Sequence, residues 1–352
     1  MLFALSFSCT SDPGPAIAGT SSSSTGDTQN EEDDDDNDDD TAPASETTSE
    51  GGGSSSGAAD DHQADESSGA AEETTTGEQP TNGVPLPTAP CPEFVDGWVT
   101  ICPADVDVCR DVMVANAGGT NGTGPLHVQW HGTYENPVQY LESDYSTLQM
   151  LDMLEQENGM MVLPSAHPEA MSDTDPFPWF IVCVGSDCQR KDDFILFDEI
   201  AACAVDQGLV DPKRITTSGM SAGGIMTSHL IERVEWLAAA VSWSGGLSPF
   251  YRPSEPVGDF PVITIHGGTG DTFDGYSFRT ASIAQAQDLA DRGEVSVICD
   301  HGNGHASTWI TGVSPFLAAA RHGEPHPVAD YPFGSGGDWG FDMYCELVQP
   351  ER

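Results

Sequence analysis

RITTSGMSAGGIMTSHL, residues 214 to 230, is the stretch that decides the fold. It opens on the β-branched Ile215 and two threonines, turns at Gly-Met-Ser-Ala-Gly, and continues with apolar residues at helical spacing. This pattern predicts a strand, a sharp turn and a helix. A G-x-S-x-G turn in that context holds its serine in a strained backbone conformation with the hydroxyl exposed. Ser221 is therefore a candidate nucleophile, whereas the same five letters without the flanking strand and helix would be an ordinary turn.

Apolar runs alternate with amphipathic stretches on both sides of this turn. Further strands are predicted at 110–114, 126–130, 160–164, 238–243, 261–266 and 295–299, the last of the sheet, and helices at 139–157, 192–205 and 315–321. Such alternation is typical of an α/β fold with a mostly parallel central sheet and helices on both faces. In sheets of this kind, chemistry gathers at the carboxyl ends of the strands.

Composition divides the chain near Pro90. The first ninety residues contain twenty Asp and Glu, no Lys or Arg, and many Ser, Thr and Gly. Such a segment cannot bury enough apolar surface to offset its conformational entropy. We therefore predict a disordered acidic linker over residues 10–90, a stalk rather than a calcium-binding tract because periodic ligands are absent. Residues 91–352 are expected to form the catalytic domain.

The acidity of the chain limits its partners. The formal net charge is −46 at pH 7, and no basic stripe with interleaved aromatic residues occurs. An acidic surface repels phosphate backbones and anionic membranes. Nucleic acid is therefore not expected as a partner.

The apolar start MLFALSFS followed by Cys9 resembles the end of a bacterial lipoprotein signal. On this reading residues 1–9 are a truncated signal, Cys9 is lipidated, and the protein is tethered at the outer membrane or cell surface. The apolar run is short and no Lys or Arg precedes it, so the alternative is a trimmed N-terminus with a free thiol. The expected location is therefore secreted or lipid-anchored in the cell envelope.

The other eight cysteines all lie beyond residue 90, at positions 91, 102, 109, 183, 188, 203, 299 and 345. An even number suggests up to four disulfides and an oxidising compartment. Zinc is the less favoured interpretation because paired C-x-x-C spacing is missing. No metal site is predicted.

A nucleophilic serine needs a base, and the base needs an acid that fixes its tautomer. Two predicted strands are followed by suitable side chains. After PVITIH comes Gly-Gly-Thr-Gly-Asp271, with Asp274 three residues further on, and after VSVICD come His301 and His305. Asp271 or Asp274 could supply the acid, and His301 or His305 the base.

Residues 110 to about 335 resemble the extracellular polyhydroxybutyrate depolymerase and feruloyl esterase group of α/β-hydrolases. The matching motifs are His-Gly at 131–132, Asp-Asp at 192–193, Gly-Met-Ser-Ala-Gly-Gly at 219–224, Ser-Gly-Gly at 244–246, HGGTGD at 266–271 and GNGH at 302–305. The resemblance implies an α/β-hydrolase with Ser221 as nucleophile, Asp271 as orienting acid and His305 as general base. The backbone amides of Thr133 and Ala222 would then form the oxyanion hole.

The chain departs from this group at two points. Thr133 stands where many relatives have cysteine, and HGGTGD is one residue longer than the usual turn, which keeps Asp274 open as an alternative acid. A loop rich in proline and aromatic residues, 165–184, is expected either to shape a substrate pocket through Trp179 and Phe180 or simply to pack on the surface.

Taken together, these features predict a secreted or lipid-anchored serine esterase that works through an acyl-enzyme without a cofactor. Its substrate would be a polyester, or a feruloyl or acetyl ester of polysaccharide. A serine peptidase or other acyl hydrolase is one alternative, and a non-catalytic surface binding protein is another. Turnover of peptide anilides would favour the first alternative, and binding without hydrolysis the second.

Overall fold

The computed structural model describes residues 82–170, 177–180, 191–246, 259–334 and 337–351. The strands are β1 (Gly97–Ile101), β2 (Arg110–Ala115), β3 (Leu126–Trp130), β4 (Met160–Pro164), β5 (Ile215–Met220), β6 (Ala239–Trp243), β7 (Val262–His266), β8 (Thr272–Phe273), β9 (Tyr276–Ser277), β10 (Ser296–Asp300) and β11 (Cys345–Leu347). The helices are α1 (Pro137–Ser143), α2 (Tyr145–Gln156), α3 (Asp192–Asp206), α4 (Ala222–Ile231), α5 (Phe278–Asp291) and α6 (Val313–Ala319). Within these ranges no helix combines the length and the apolar character that crossing a bilayer requires.

One nine-stranded sheet forms the centre, in the order β1-β2-β4-β3-β5-β6-β7-β10-β11. From β4 to β10 all neighbouring strands run parallel. The antiparallel pairs are β1 with β2, β2 with β4, and β10 with β11, all towards the two edges. The predicted mostly parallel sheet is therefore confirmed. The carboxyl ends of its parallel strands all lie on the same side of the sheet, which is called here the carboxyl-terminal side.

Helices cover both faces of this sheet. Apolar side chains of α3, α4 and α5 pack into one hydrophobic cluster, and those of α1, α2 and α6 pack into another. Successive strand residues alternate between the two clusters, as a pleated strand requires: Ala240 of β6 lies in the first, and Ala239 and Val241 lie in the second. Every residue of α4 is buried, so this helix is fixed against the sheet on which the serine turn is built.

Several elements differ from the sequence-based prediction. The strands β1, β8, β9 and β11 and the helix α5 were not predicted, and β10 is followed by β11 rather than being the last strand. The predicted helix 139–157 is divided at Asp144, whose carboxylate accepts a hydrogen bond from the Thr147 N–H at 2.7 Å. A side chain that caps the first turn in this way begins a new helix at α2.

Residues 82–90, which composition assigned to the linker, pack on the domain. Val84 is only 3% exposed. The backbone N–H and the hydroxyl of Thr88 both donate to Glu199 Oε2, at 2.9 and 2.8 Å, and the Ala89 N–H donates to Oε1 at 3.1 Å. Glu199 is a buried carboxylate of α3 and needs such donors. Composition alone cannot reveal a partner 111 residues away. Residues 10–81 of the predicted linker, like residues 1–9, lie outside the described ranges.

Three disulfides join described cysteines: Cys91–Cys203, Cys102–Cys109 and Cys299–Cys345. The first ties the N-terminal segment to α3 across 112 residues of sequence, and the third links β10 to β11. Cross-links over long loops restrict the unfolded chain most in the entropic model. The cysteines at 9, 183 and 188 lie outside the described residues, so a fourth disulfide stays a prediction.

Candidate active site

Ser221 occupies the turn between β5 and α4 with φ 59° and ψ −119°. A positive φ is unfavourable for a residue with a side chain, so the surroundings must hold it. The Ser221 N–H donates to the Trp243 carbonyl at 3.0 Å, and the Ile225 N–H donates to the Ser221 carbonyl at 2.9 Å. A Cβ at Gly223 would lie 2.0 Å from the Trp130 carbonyl oxygen, so only glycine fits where α4 meets the end of β3.

Two further side chains complete a hydrogen-bonded chain at the carboxyl ends of the parallel strands. His305, on the loop after β10, places Nε2 at 3.0 Å from Ser221 Oγ and Nδ1 at 2.7 Å from Asp271 Oδ1. Asp271 lies on the loop after β7. The carboxylate favours a proton on Nδ1, which leaves Nε2 to accept the serine proton. The structure therefore brings these three sequence-predicted residues together.

Asp271 is held as a carboxylate. It is fully buried, and its second oxygen, Oδ2, accepts hydrogen bonds from the Gly267 N–H at 2.8 Å and from Ser244 Oγ at 2.9 Å. Burial alone would raise its pKa, but the hydrogen bonds from His305, Gly267 and Ser244 outweigh burial and lower the pKa. The Ser-Gly-Gly motif was noticed in the sequence, but the role of the Ser244 hydroxyl was not predicted.

The two rival residues occupy other positions. Asp274 is exposed, with φ 45°, in the turn between β8 and β9. Nδ1 of His301 accepts the Asn303 N–H at 3.2 Å, and burial lowers the pKa of His301. Among the described residues, His305 is the one histidine that forms hydrogen bonds with both Ser221 and Asp271.

Phe278, the first residue of α5, stacks on the His305 ring with centroids 4.5 Å apart and an interplanar angle of 18°. Phe273 of β8 lies 6.3 Å from the same ring, centroid to centroid. Together these rings restrict the imidazole to the orientation that the Asp271 hydrogen bond selects. Neither residue was predicted, because α5 was not predicted and no pattern linked either residue to the GNGH motif.

The loop after β3 carries Thr133 and is braced by Glu135. Glu135 Oε2 accepts the Gly132 N–H at 2.8 Å and the Tyr140 hydroxyl at 2.9 Å, and the Glu135 N–H donates back to the Gly132 carbonyl at 3.3 Å. Ala222 is the first residue of α4, where backbone N–H groups have no partner within the helix. The loop and the helix start lie side by side because of the close contact between α4 and the end of β3.

Comparison with known proteins shows the fold. No protein-family model and no curated protein matches the sequence. Among solved structures, native pOPH matches with a TM-score of 0.60 and 20% identity, over 75% of this chain and 98% of that chain. Native sOPH matches with a TM-score of 0.58 and 20% identity, over 74% and 97%.

The chain has the α/β-hydrolase fold. A sequence identity of 20% shows a shared fold and no closer relationship. The family resemblance seen in the motifs is confirmed at that level.

In this α/β-hydrolase, Trp179 does not line an open pocket as the sequence analysis expected, because it is only 1% exposed. Its indole N–H donates to the His131 carbonyl at 3.0 Å, and its ring meets Trp130 edge-on at 4.9 Å. Burial also lowers the pKa of His131 to about 4, so this histidine is neutral near pH 7. Trp179 therefore supports the loop after β3 from the core side.

Phe180, the second expected pocket residue, is half-buried and packs on His167 with ring centroids 4.5 Å apart. Its N–H donates to Asp193 Oδ2 at 2.7 Å. Asp193 in turn pairs with Arg110 at 2.8 Å, and both charged side chains are buried. This part of the predicted pocket is thus anchored to α3 and β2, while residues 171–176 and 181–184 of the predicted loop lie outside the described residues.

We predict that Glu135→Ala lowers kcat by roughly 10- to 100-fold, since the brace on the Gly132 N–H is lost and a misplaced oxyanion donor is costly. Initial rates on a short p-nitrophenyl ester would measure this. Glu135→Gln is the matched control, because its amide oxygen can accept the same two hydrogen bonds; it should retain activity within about threefold. Equal rates for Glu135→Ala and the unmodified protein would contradict the proposed brace.

Proposed function

We propose that the protein is a serine hydrolase of carboxylic esters that works through an acyl-enzyme. The observation that carries the proposal is the hydrogen-bonded chain from Ser221 Oγ through His305 to the buried Asp271 carboxylate. This arrangement suits nucleophilic catalysis, because a serine hydroxyl near pH 7 is reactive only when an oriented base accepts its proton. The α/β-hydrolase fold supports the same class of reaction only by analogy.

The proposed reaction has two halves. Ser221 Oγ attacks the ester carbonyl while Nε2 of His305 takes the hydroxyl proton, and the carbonyl oxygen becomes an oxyanion. The backbone amides of Thr133 and Ala222 donate to that oxyanion. His305 then gives its proton to the departing alkoxide, which leaves as an alcohol. In the second half, His305 activates water, which attacks the acyl-enzyme and releases the acid and the free serine.

For the substrate we propose a polyester, or a feruloyl or acetyl ester of polysaccharide. The support is the set of motifs shared with the depolymerase and feruloyl esterase group. None of these esters requires a metal or an organic cofactor in the steps above. The acidic surface fits a neutral or weakly charged polymer better than a polyanion.

We further propose that the protein works outside the cytoplasm, secreted or held at the outer membrane or cell surface through a lipidated Cys9. The three disulfides favour an oxidising compartment. The acidic segment before residue 82 would act as the stalk. Mass spectrometry of the protein from its native membrane fraction tests the anchor: a lipid adduct on Cys9 is expected, and an unmodified thiol there would overturn it.

The test of the ester proposal is a substrate panel for the oxidised, full-length protein. It would contain p-nitrophenyl acetate and butyrate, methyl ferulate, ethyl acetate and a set of peptide p-nitroanilides. We expect turnover of esters and none of the anilides. Preferred turnover of anilides would favour a peptidase, and binding of polymer without turnover of any ester would favour a surface binding protein.

A further inference from the structure

Tyr134 has an unusual backbone conformation beside the proposed oxyanion donor. It directly follows Thr133 and has φ 64°. The Glu135 N–H bonds to the Gly132 carbonyl at 3.3 Å, so Tyr134 is the third residue of a four-residue turn. A turn that needs a positive φ at this position favours glycine or asparagine. A tyrosine there is strained.

Packing does not compensate for this strain. Tyr134 is 71% exposed. Within the described part of the chain, it forms no hydrogen bond, ring contact or cation-π contact. A large apolar ring left in water at a position that prefers glycine has no evident role in stability. Strained residues that persist without structural benefit concentrate at functional sites.

The turn also places the Tyr134 backbone near the serine turn. Glu135 fixes the Gly132 N–H, and a Cβ on Gly132 would lie 3.3 Å from the carbonyl oxygen of Met220, the residue before Ser221. Two residues of extended chain span at most about 7 Å, so the Tyr134 backbone lies within that distance of Gly132. The Tyr134 backbone therefore lies close to the strand end that carries Ser221.

We propose that Tyr134 is a specificity-determining residue whose ring binds an aromatic group attached to the ester next to the scissile bond. This inference rests on the proposed ester hydrolysis and deepens it. Tyrosine offers a flat ring with an apolar face, and aromatic pairs gain from offset or edge-on stacking beyond the area that they bury. The aromatic group can belong to the acyl part, as in a ferulate, or to the alcohol part, as in a phenyl ester.

The test compares Tyr134→Gly with the unmodified protein on three esters. Methyl ferulate carries its ring on the acyl side, p-nitrophenyl acetate carries it on the alcohol side, and ethyl acetate carries none. We expect KM for at least one aromatic ester to rise about three- to tenfold, with ethyl acetate unchanged within about twofold. The ester that is affected identifies the side that the ring contacts. Tyr134→Phe should keep the KM of the unmodified protein.

Asn158→Gly is the matched control for relief of backbone strain. Asn158 is exposed and has φ 56°. It lies before the amino end of β4, whereas the proposed site lies at the carboxyl ends of the parallel strands. Both glycine variants should keep or raise the melting temperature, but only Tyr134→Gly should change KM. Unchanged KM for both aromatic esters would overturn the proposal. An equal loss on all three esters would also overturn it, since that result indicates a displaced oxyanion loop.

Failure of the underlying reaction is distinguishable from failure of this inference. Turnover of ethyl acetate by the unmodified protein tests the reaction without the ring. If no ester is hydrolysed, calorimetric binding of methyl ferulate to the unmodified protein and to Tyr134→Gly replaces the kinetic comparison. Weaker binding by the variant would support the aromatic contact, and equal binding or no binding by either protein would overturn it.

Discussion

Ser221→Ala is expected to reduce ester turnover by a factor on the order of 10⁶, which is the loss that removing a serine nucleophile causes in a well-studied triad. The acyl-enzyme cannot form without the Ser221 oxygen, since the alanine methyl group cannot attack a carbonyl. The residual rate would come from the oxyanion donors and substrate binding alone. Initial rates with p-nitrophenyl butyrate, at enzyme concentrations high enough to detect the variant, provide the measurement.

Ser307→Ala is the control for this experiment. Ser307 lies two residues after His305, and its hydroxyl donates to Asp144 at 3.0 Å rather than taking part in the Ser221 chain. Loss of one exposed hydroxyl of this kind should change turnover by less than about threefold. Comparable activity of Ser221→Ala and the unmodified protein would show that another group is the nucleophile, and the proposed mechanism would be wrong.

Asp271→Asn should lower kcat by about 10,000-fold, the size of effect seen when the acid of a serine triad becomes an amide. The hydrogen bonds to Asp271 explain this loss. The Gly267 N–H and the Ser244 hydroxyl both donate to Asp271 Oδ2. In the variant they would favour the amide oxygen at that place, so the amide NH₂ would face His305. Nδ1 of His305 would then accept a hydrogen bond rather than donate one, and Nε2 would carry the hydrogen, which prevents it from accepting the Ser221 proton.

Asp274→Asn is the matched control, since it changes an exposed carboxylate on the same loop by the same chemistry. It should keep kcat within about twofold. A large loss of kcat in Asp274→Asn together with normal turnover in Asp271→Asn would identify Asp274 as the acid that orients His305.

The pH profile of activity adds a second measurement. Because hydrogen bonds lower the pKa of Asp271, its carboxylate stays ionised down to pH values below its ordinary pKa, so any loss of activity between pH 5 and 7 must come from another group.

The central sheet could be predicted because its strands carry local signals. The runs 126–130 and 160–164 coincide with β3 and β4: the first alternates apolar and polar residues, and the second is a continuous apolar segment. The serine turn was predicted for the same local reason. By contrast, β11 has only three residues, one of them Cys345, and is held by pairing with β10 and by a disulfide. Neither interaction leaves a periodic pattern in the sequence.

The candidate site divides in the same way. Ser221, Asp271 and His305 each follow a recognisable strand, so their convergence could be expected from topology. The structure then separated Asp271 from Asp274, which spacing could not do, because the selection depends on donors from two other strand ends. Trp179 was misassigned since an aromatic residue in a proline-rich loop has the same sequence signal whether it is exposed or buried. Only the hydrogen bond to the His131 carbonyl reveals its place.

The attachment of the N-terminal segment to α3 has a mechanical consequence. If the chain is tethered through Cys9, any drag on the domain pulls along the segment that ends at Cys91. The Thr88 and Ala89 contacts with Glu199 would release first, and the load would then fall on the covalent bond between Cys91 and Cys203. That bond enters the domain at α3, whereas the reactive side chains stand on loops after β5, β7 and β10. Under such a tether, the reactive groups would stay outside the path of the force.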